Sequence, residues 1–293
     1  PKVGVVIPPR QILTTAAELQ DLTLVRVQKG GRGQWWTGAV LWADYFANVA
    51  LSTVDQPEFW QGLKPVALAP RLNLASSARI VRWNAGSFEM RKAEINRFDV
   101  TNPGFTDTAH VFAELSAELG GAGWGEPAFD GKRLIGLVFA QIGNVCHTLP
   151  APFIRSILDA RAKPGYRGLG YFDFTWQPTV NPETQRYLRW EGPPRGVVVI
   201  DIVERPGTPS VLQPRDLLLE VDGFPIDIQG DYFDPLYGHL MLENLATRNK
   251  WAGDPVRLKI WRDARELEVD YRLPEARNAA RLVPTAPYDQ EPA

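Results

Sequence analysis

The chain has one cysteine, Cys146, two methionines and three histidines in 293 residues. A single cysteine excludes an internal disulfide framework. The histidines are His110, His147 and His239, no Cys/His cluster has zinc spacing, and the acidic residues are scattered, so neither a metal nor any other cofactor is expected. Apolar runs are too short to span a bilayer, and no segment has the charged start and apolar centre of a signal peptide. Neither sign of charge is in excess: 32 basic and 34 acidic residues give a net charge of -2, which speaks against a nucleic-acid or membrane-surface partner. The chain opens on Pro1-Lys2, without methionine and directly before an apolar strand, which predicts a missing N-terminal segment.

What the chain does have is length for two domains and 44% hydrophobic residues to fill their cores. Twenty-five prolines, twenty-five glycines and ten tryptophans describe a turn-rich, aromatic β protein. Short β-rich runs cover residues 3–55, with Gly30-Gly31-Arg32-Gly33 read as a hairpin loop because a strand, not a helix, follows it. A second β cluster opens at Ala78-Arg79-Ile80-Val81-Arg82-Trp83. Asp130-Gly131 predicts a hairpin turn, and Pro150-Ala151-Pro152 leads into an amphipathic helix over 153–162.

The central stretch is Gly121-Ala122-Gly123-Trp124-Gly125-Glu126-Pro127-Ala128-Phe129, a crowded, glycine-rich loop. It resembles the nucleophile loop of the trypsin-like fold, Gly-Asn-Ser-Gly-Gly-Pro, which presents a serine and two backbone N–H donors to an acyl oxygen. Anchored on Pro127, the serine position is held by Trp124, and residues 120–129 contain no serine. Ile12-Leu13-Thr14-Thr15-Ala16-Ala17 resembles the HtrA/Deg motif Val-Leu-Thr-Asn-Ala-His, with Ala17 in the histidine position. Asn48-Val49-Ala50-Leu51-Ser52 resembles Asp-Ile-Ala-Leu-Leu, with Asn48 in the aspartate position. Acyl transfer needs a nucleophile, a base and a group that orients the base. The resemblance therefore implies a degenerate triad and no catalytic residue.

Beyond residue 165, Gly196-Val197-Val198-Val199-Ile200 and Asp216-Leu217-Leu218-Leu219-Glu220-Val221-Asp222-Gly223 stand at the distance used in a PDZ domain. A helix is expected over 239–248 and a terminal hairpin over 256–271. The resemblance, closest to the plant-type Deg subfamily, implies a mostly β chain: a trypsin-like double β-barrel over 1–163, one strand short at its start, and a PDZ-like α+β domain over 165–274. Residues 275–293, with Leu282-Val283-Pro284 and Tyr288-Asp289, read as a linker towards a further PDZ-like domain.

PDZ domains add a peptide as an extra strand, with loop N–H groups holding a terminal carboxylate. That mode implies a peptide site at Gly168, Leu169, Gly170, Tyr171 and Phe172, walled by His239 and Leu242; Tyr171 and Phe172 packing in the core is the plain alternative. Asp173 beside this loop disfavours a carboxylate, leaving an internal peptide segment open. Trp124 reads either as a plug of the vestigial cleft or as a stacking platform, and Glu126, replacing a loop glycine, opposes oxyanion binding. His110 and His147 read as ordinary core or surface histidines, and Cys146 and His147, adjacent on a strand, point to opposite faces.

These implications make the chain an inactive binding or scaffold subunit for a peptide or unfolded segment, as a homo-oligomer or beside an active homologue. The alternatives are an active serine endopeptidase of protein quality control and a chaperone-like holder of unfolded chains. The family's bacterial members are often periplasmic and some of its plant members are in organelles or the nucleus, so the compartment stays open, with a periplasmic or otherwise exported location favoured.

Overall fold

The computed structural model describes residues 2–19, 24–74, 76–84, 86–102, 108–118, 120–203 and 209–275, so the expected linker lies, from 276 on, outside them. Five antiparallel strands form the first sheet, in the order Val5–Ile7, Gln11–Thr14, Val49–Val54, Trp35–Asp44, Val25–Gln28. Among the described residues its outer strands do not pair with each other. The second sheet runs Pro127–Asp130, Ser77–Asn84, Ser87–Thr101, His110–Ala117, Val145–Pro150, Arg133–Ile142. Pro127–Asp130 also pairs with Arg133–Ile142, which closes these six strands into a barrel.

The turns follow from local chemistry. Asp130 pairs with Arg133 across a turn in which Gly131 takes φ 57°. Asp222 and Gly223 both have positive φ, 49° and 79°, as a two-residue hairpin turn requires. The amphipathic helix spans Ala151–Arg161, starting two residues before its expected position, with a proline in its first turn. Its buried residues Phe153, Ile154, Ile157 and Ala160 recur at three- and four-residue steps and form one face.

The second unit is a sheet in the order Phe174–Pro178, Val197–Ile202, Leu217–Val221, Pro255–Arg262, Arg265–Arg272, with a separate hairpin of Asp231–Asp234 and Gly238–Met241. The helix expected over 239–248 is not formed. His239 lies on the hairpin strand Gly238–Met241, and only a 3-10 turn, Leu242–Ala246, follows. Burial alternates there, with Leu240 and Leu242 inside and His239 and Met241 outside, so the strand period overrides the helical reading.

This unit packs on the barrel. Phe98 meets Tyr237 at 5.0 Å between ring centroids, the Val111 amide donates to Asn244 Oδ1 at 3.1 Å, and the Thr247 hydroxyl donates to the Ala109 carbonyl at 3.2 Å. Buried Asn244 also donates to the Tyr232 hydroxyl at 2.6 Å, so both ends of its amide are used. Tyr166, beyond the helix, donates to buried Asp44 Oδ2 at 2.6 Å. Burial raises the Asp44 pKa, against the lowering effect of that bond.

Candidate functional site: a loop with no free donors

The segments carrying the three positions matched to triad motifs, Ala17, Asn48 and Trp124, converge on one place. Strand Gln11–Thr14 ends against Val49–Val54, and Asn48 sits at the start of the latter in the left-handed region, φ 53°. Asparagine tolerates that conformation. Its buried Oδ1 accepts from the amides of Ala16 and Ala17, each at 2.9 Å, so Asn48 anchors the segment carrying the histidine position. On the other side the Val3 amide donates to the Trp124 carbonyl at 2.9 Å, and Thr14 Oγ1 donates to the Val3 carbonyl at 2.7 Å. Gly125 closes the arrangement. A Cβ there would come within 2.7 Å of the Val3 oxygen and 2.8 Å of Thr14 Oγ1, so only glycine lets the loop lie this close to the strand end.

Within the loop, every amide from Ala122 to Gly125 donates to an acceptor of the chain itself. Ala122 N–H donates to Gln141 Oε1 at 2.7 Å. The amides of Gly123 and Trp124 both donate to Glu126 Oε2, at 2.9 and 2.8 Å, and Gly125 N–H donates to the Val138 carbonyl at 3.0 Å. The Glu126 carboxylate is buried beneath its own loop, with Arg82 Nη1 4.0 Å from its other oxygen. Glu126 was marked by the sequence as a replaced glycine. Gln141 was not: it comes from a strand fifteen residues further on, and nothing local in the sequence links it to the loop.

The Trp124 indole is 45% exposed, which overturns the plug reading. The loop is closed by polar side chains beneath the backbone, not by an aromatic ring above it. Cys146 is buried, and burial first, then the Glu126 charge, pushes its thiol up to about 11, so it is a protonated, unreactive group at neutral pH. His147 lies 3.8 Å from Glu114, itself bound bidentately by Arg97, and burial lowers the pKa of its imidazole. His110 is fully buried, stacked on Phe153 at 4.4 Å, and pushed down to about 4 by burial. Its Nε2 has no hydrogen-bond partner among the described residues.

The seven residues of the expected peptide site do not assemble into an open groove. Leu169 and Leu242 are buried, and Phe172 packs on Phe174 and Tyr271 at 5.2 and 5.8 Å. The Gly168 carbonyl accepts from the Ala252 amide at 3.0 Å, and Gly170 bridges Glu275. Tyr171 is half-buried beside them, whereas His239 is exposed on the separate hairpin, facing Phe233 at 5.5 Å. Between the edge strand Phe174–Pro178 and the turn Leu242–Ala246 runs the Trp176 indole. It donates to Glu243 Oε1 at 2.8 Å and covers Gly230, where a Cβ would stand 2.2 Å from the ring. No group of three His, Cys, Asp or Glu among the described residues could hold a metal ion, and no described helix is long and apolar enough to cross a membrane.

Comparison with known proteins agrees with this fold. No protein-family model matches the chain. "Putative protease Do-like 13" of Arabidopsis thaliana is 24% identical over 301 residues, 99% of this chain. "Putative protease Do-like 3, mitochondrial" of the same plant is 22% identical over 98% of it. The chain is a homologue of the HtrA/Deg proteases. It spans 60% and 52% of the length of those two relatives. Among solved structures, "HtrA-type protease AlgW with tripeptide" superposes with a TM-score of 0.69 at 14% identity, covering 92% of this chain and 88% of that one. A serine endoprotease from Yersinia pestis gives 0.60 at 13% identity, over 93% and 88%. The HtrA/Deg homologue thus has the trypsin-like fold of those proteases over most of its length.

Proposed function

We propose that this HtrA/Deg homologue is catalytically inactive and serves as a peptide- or protein-binding scaffold subunit, alone as an oligomer or beside an active homologue. One observation carries the reading: the amides that would face an acyl oxygen already donate to Glu126 and Gln141, in a loop whose nucleophile position is Trp124. An oxyanion site works by holding donors ready for developing charge, and these donors are spent on a resident carboxylate and amide. Ala17 and Asn48 supply neither base nor carboxylate, and Asn48 is committed to backbone amides. The binding half of the reading is supported by its fold neighbours AlgW, which were solved with a tripeptide and a decapeptide.

The test is labelling of the purified protein by a fluorophosphonate probe, with digestion of unfolded casein alongside. No adduct and no cleavage are expected. A stoichiometric adduct, or casein cleavage that copurifies with the protein, would overturn the reading in favour of an active serine endopeptidase.

A further inference from the structure

We propose that the outer face of the hairpin formed by Ser77–Asn84 and Ser87–Thr101, extended by Trp35, is the docking surface for an extended acidic protein segment bearing large apolar side chains. The inference supplies a partner class for the binding role proposed above, and rests on that role but not on the loss of catalysis.

The hairpin register pairs Arg79 with Lys92, Val81 with Met90 and Trp83 with Phe88, so by the two-residue period these six side chains share one face. Three of them are large, apolar and open to solvent: Trp83 is 40% exposed, Phe88 54% and Met90 49%. Trp83 and Phe88 lie 5.3 Å apart. The patch continues onto the first sheet. Gly30 and Gly31 lie against Trp83, where a Cβ on Gly31 would come within 2.9 Å of the tryptophan Cβ. The strand after this loop presents Trp35, 55% exposed. Exposed apolar side chains gathered in one place, unlike scattered single ones, mark an interaction surface.

Charge selects the partner. Arg32 lies over the Trp83 ring at 5.8 Å and Arg26 over Trp35 at 5.3 Å, while Arg79 and Lys92 border the hairpin face. All four are exposed, and none is within ion-pair distance of an acidic side chain among the described residues. Of the hairpin's carboxylates in this stretch, Glu89 is on the opposite face, bound to Arg82 and Asn84, whereas Glu94, opposite Ser77 at the end of the pairing, shares the face with Lys92. A surplus of unpaired cations around an apolar centre, in a chain whose net charge is -2, is complementary to a partner with carboxylates flanking apolar anchors. Val81 and Met90 lie between the Trp83–Phe88 pair and the Arg79–Lys92 pair, so an aliphatic step separates the rings from the cations, which suits the alternating apolar and acidic side chains of a polypeptide.

The probe is a fluorescein-labelled, C-terminally amidated twelve-residue peptide alternating Glu with Phe and Leu, compared with its Lys-for-Glu counterpart by fluorescence anisotropy. The acidic peptide is expected to bind at least tenfold more tightly. Phe88→Ser with Met90→Ser, and separately Arg32→Glu with Lys92→Glu, should each weaken it at least tenfold while thermal unfolding stays unchanged. Trp83 is left intact because the glycine loop packs on it. Equal affinity for both peptides, or binding indifferent to both variant pairs, overturns the proposal. So does tighter binding of a single-stranded oligonucleotide, or a self-association in sedimentation that the Phe88→Ser/Met90→Ser protein loses. Labelling by the fluorophosphonate probe with the peptide result intact would sink the inactive reading alone.

Discussion

The two places where the proposed reading expects a vestigial cleft are both filled by the chain itself, and by opposite chemistry. In the barrel loop the resident is polar: Glu126 and Gln141 take the backbone donors an oxyanion would use. Beside the edge strand of the second unit the resident is aromatic: Trp176 covers Gly230 and donates to Glu243, where a bound side chain would insert. On the proposed reading each resident stands in for a ligand, a carboxylate for an oxyanion and an indole for an apolar peptide side chain. Evicting either should therefore show whether a working site lies beneath it.

The largest effect is expected in the loop. Ala17→His, Asn48→Asp and Trp124→Ser together should still give negligible fluorophosphonate labelling, because the donors remain occupied. Adding Glu126→Gly and Gln141→Ala should raise the labelling rate by about 10²-fold or more, the usual worth of oxyanion-hole donors. Equal rates for the triple and quintuple variants would show that the loop is not the barrier.

Stability separates the two residents next. Glu126→Ala leaves two half-buried amides without their acceptor and should lower unfolding free energy by roughly 1–3 kcal/mol in urea. Glu126→Gln keeps an accepting oxygen and should cost less than half as much. Trp176→Phe keeps most of the ring contact and loses one hydrogen bond, a change of about 1 kcal/mol. If Glu126→Ala proves as mild as Trp176→Phe, the carboxylate is not what holds the loop.

The wall opposite Trp176 is docked on the barrel through Asn244 and Thr247, whose partners Val111 and Ala109 flank His110. His110 is neutral when folded, its pKa pushed by burial from the usual 6.5 to about 4. The unfolded chain binds its proton first as pH falls, so stability present above 6.5 is lost between 6.5 and 4. At 1.36 kcal/mol per pKa unit the loss amounts to about 3 kcal/mol. Denaturant melts at pH 7 and pH 4 should show it, and His110→Leu should remove it.

Much of the barrel was legible because its signals are local. The glycine loop before Pro127, the Asp-Gly turns and the motifs around Ala17 and Asn48 each occupy a few adjacent residues, and the Ala17 amide donates to Asn48 while Gly125 lies against Thr14. What was not legible depends on distance or on competing periods. Gln141 reaches Ala122 across two strands, and Asn244 reaches Val111 across 133 residues. Residues 239–248 read as a helix because the PDZ resemblance places one there, yet pairing of Gly238–Met241 with Asp231–Asp234 imposed a strand's alternation on its first residues. Trp176 covers Gly230, fifty-four residues further on, a contact that no local pattern discloses.

Glu243 offers the finest separation of the two clefts, because its pH dependence runs opposite to that of His110. Burial, the largest influence, raises its pKa from the usual 4.5, against the lowering effect of the Trp176 bond. The folded chain therefore holds this proton more tightly than the unfolded chain. The stabilisation is complete below 4.5 and is lost as pH rises through the raised value. In a His110→Leu background, where the opposing trend is gone, unfolding temperatures should rise as pH is lowered from 7 towards 4.5, and Glu243→Gln should flatten that rise. Trp176→Phe removes the bond that favours the carboxylate, so the rise should extend to higher pH. An unchanged profile in Trp176→Phe would mean that the indole fills the groove without coupling to Glu243, leaving the aromatic closure a matter of packing alone.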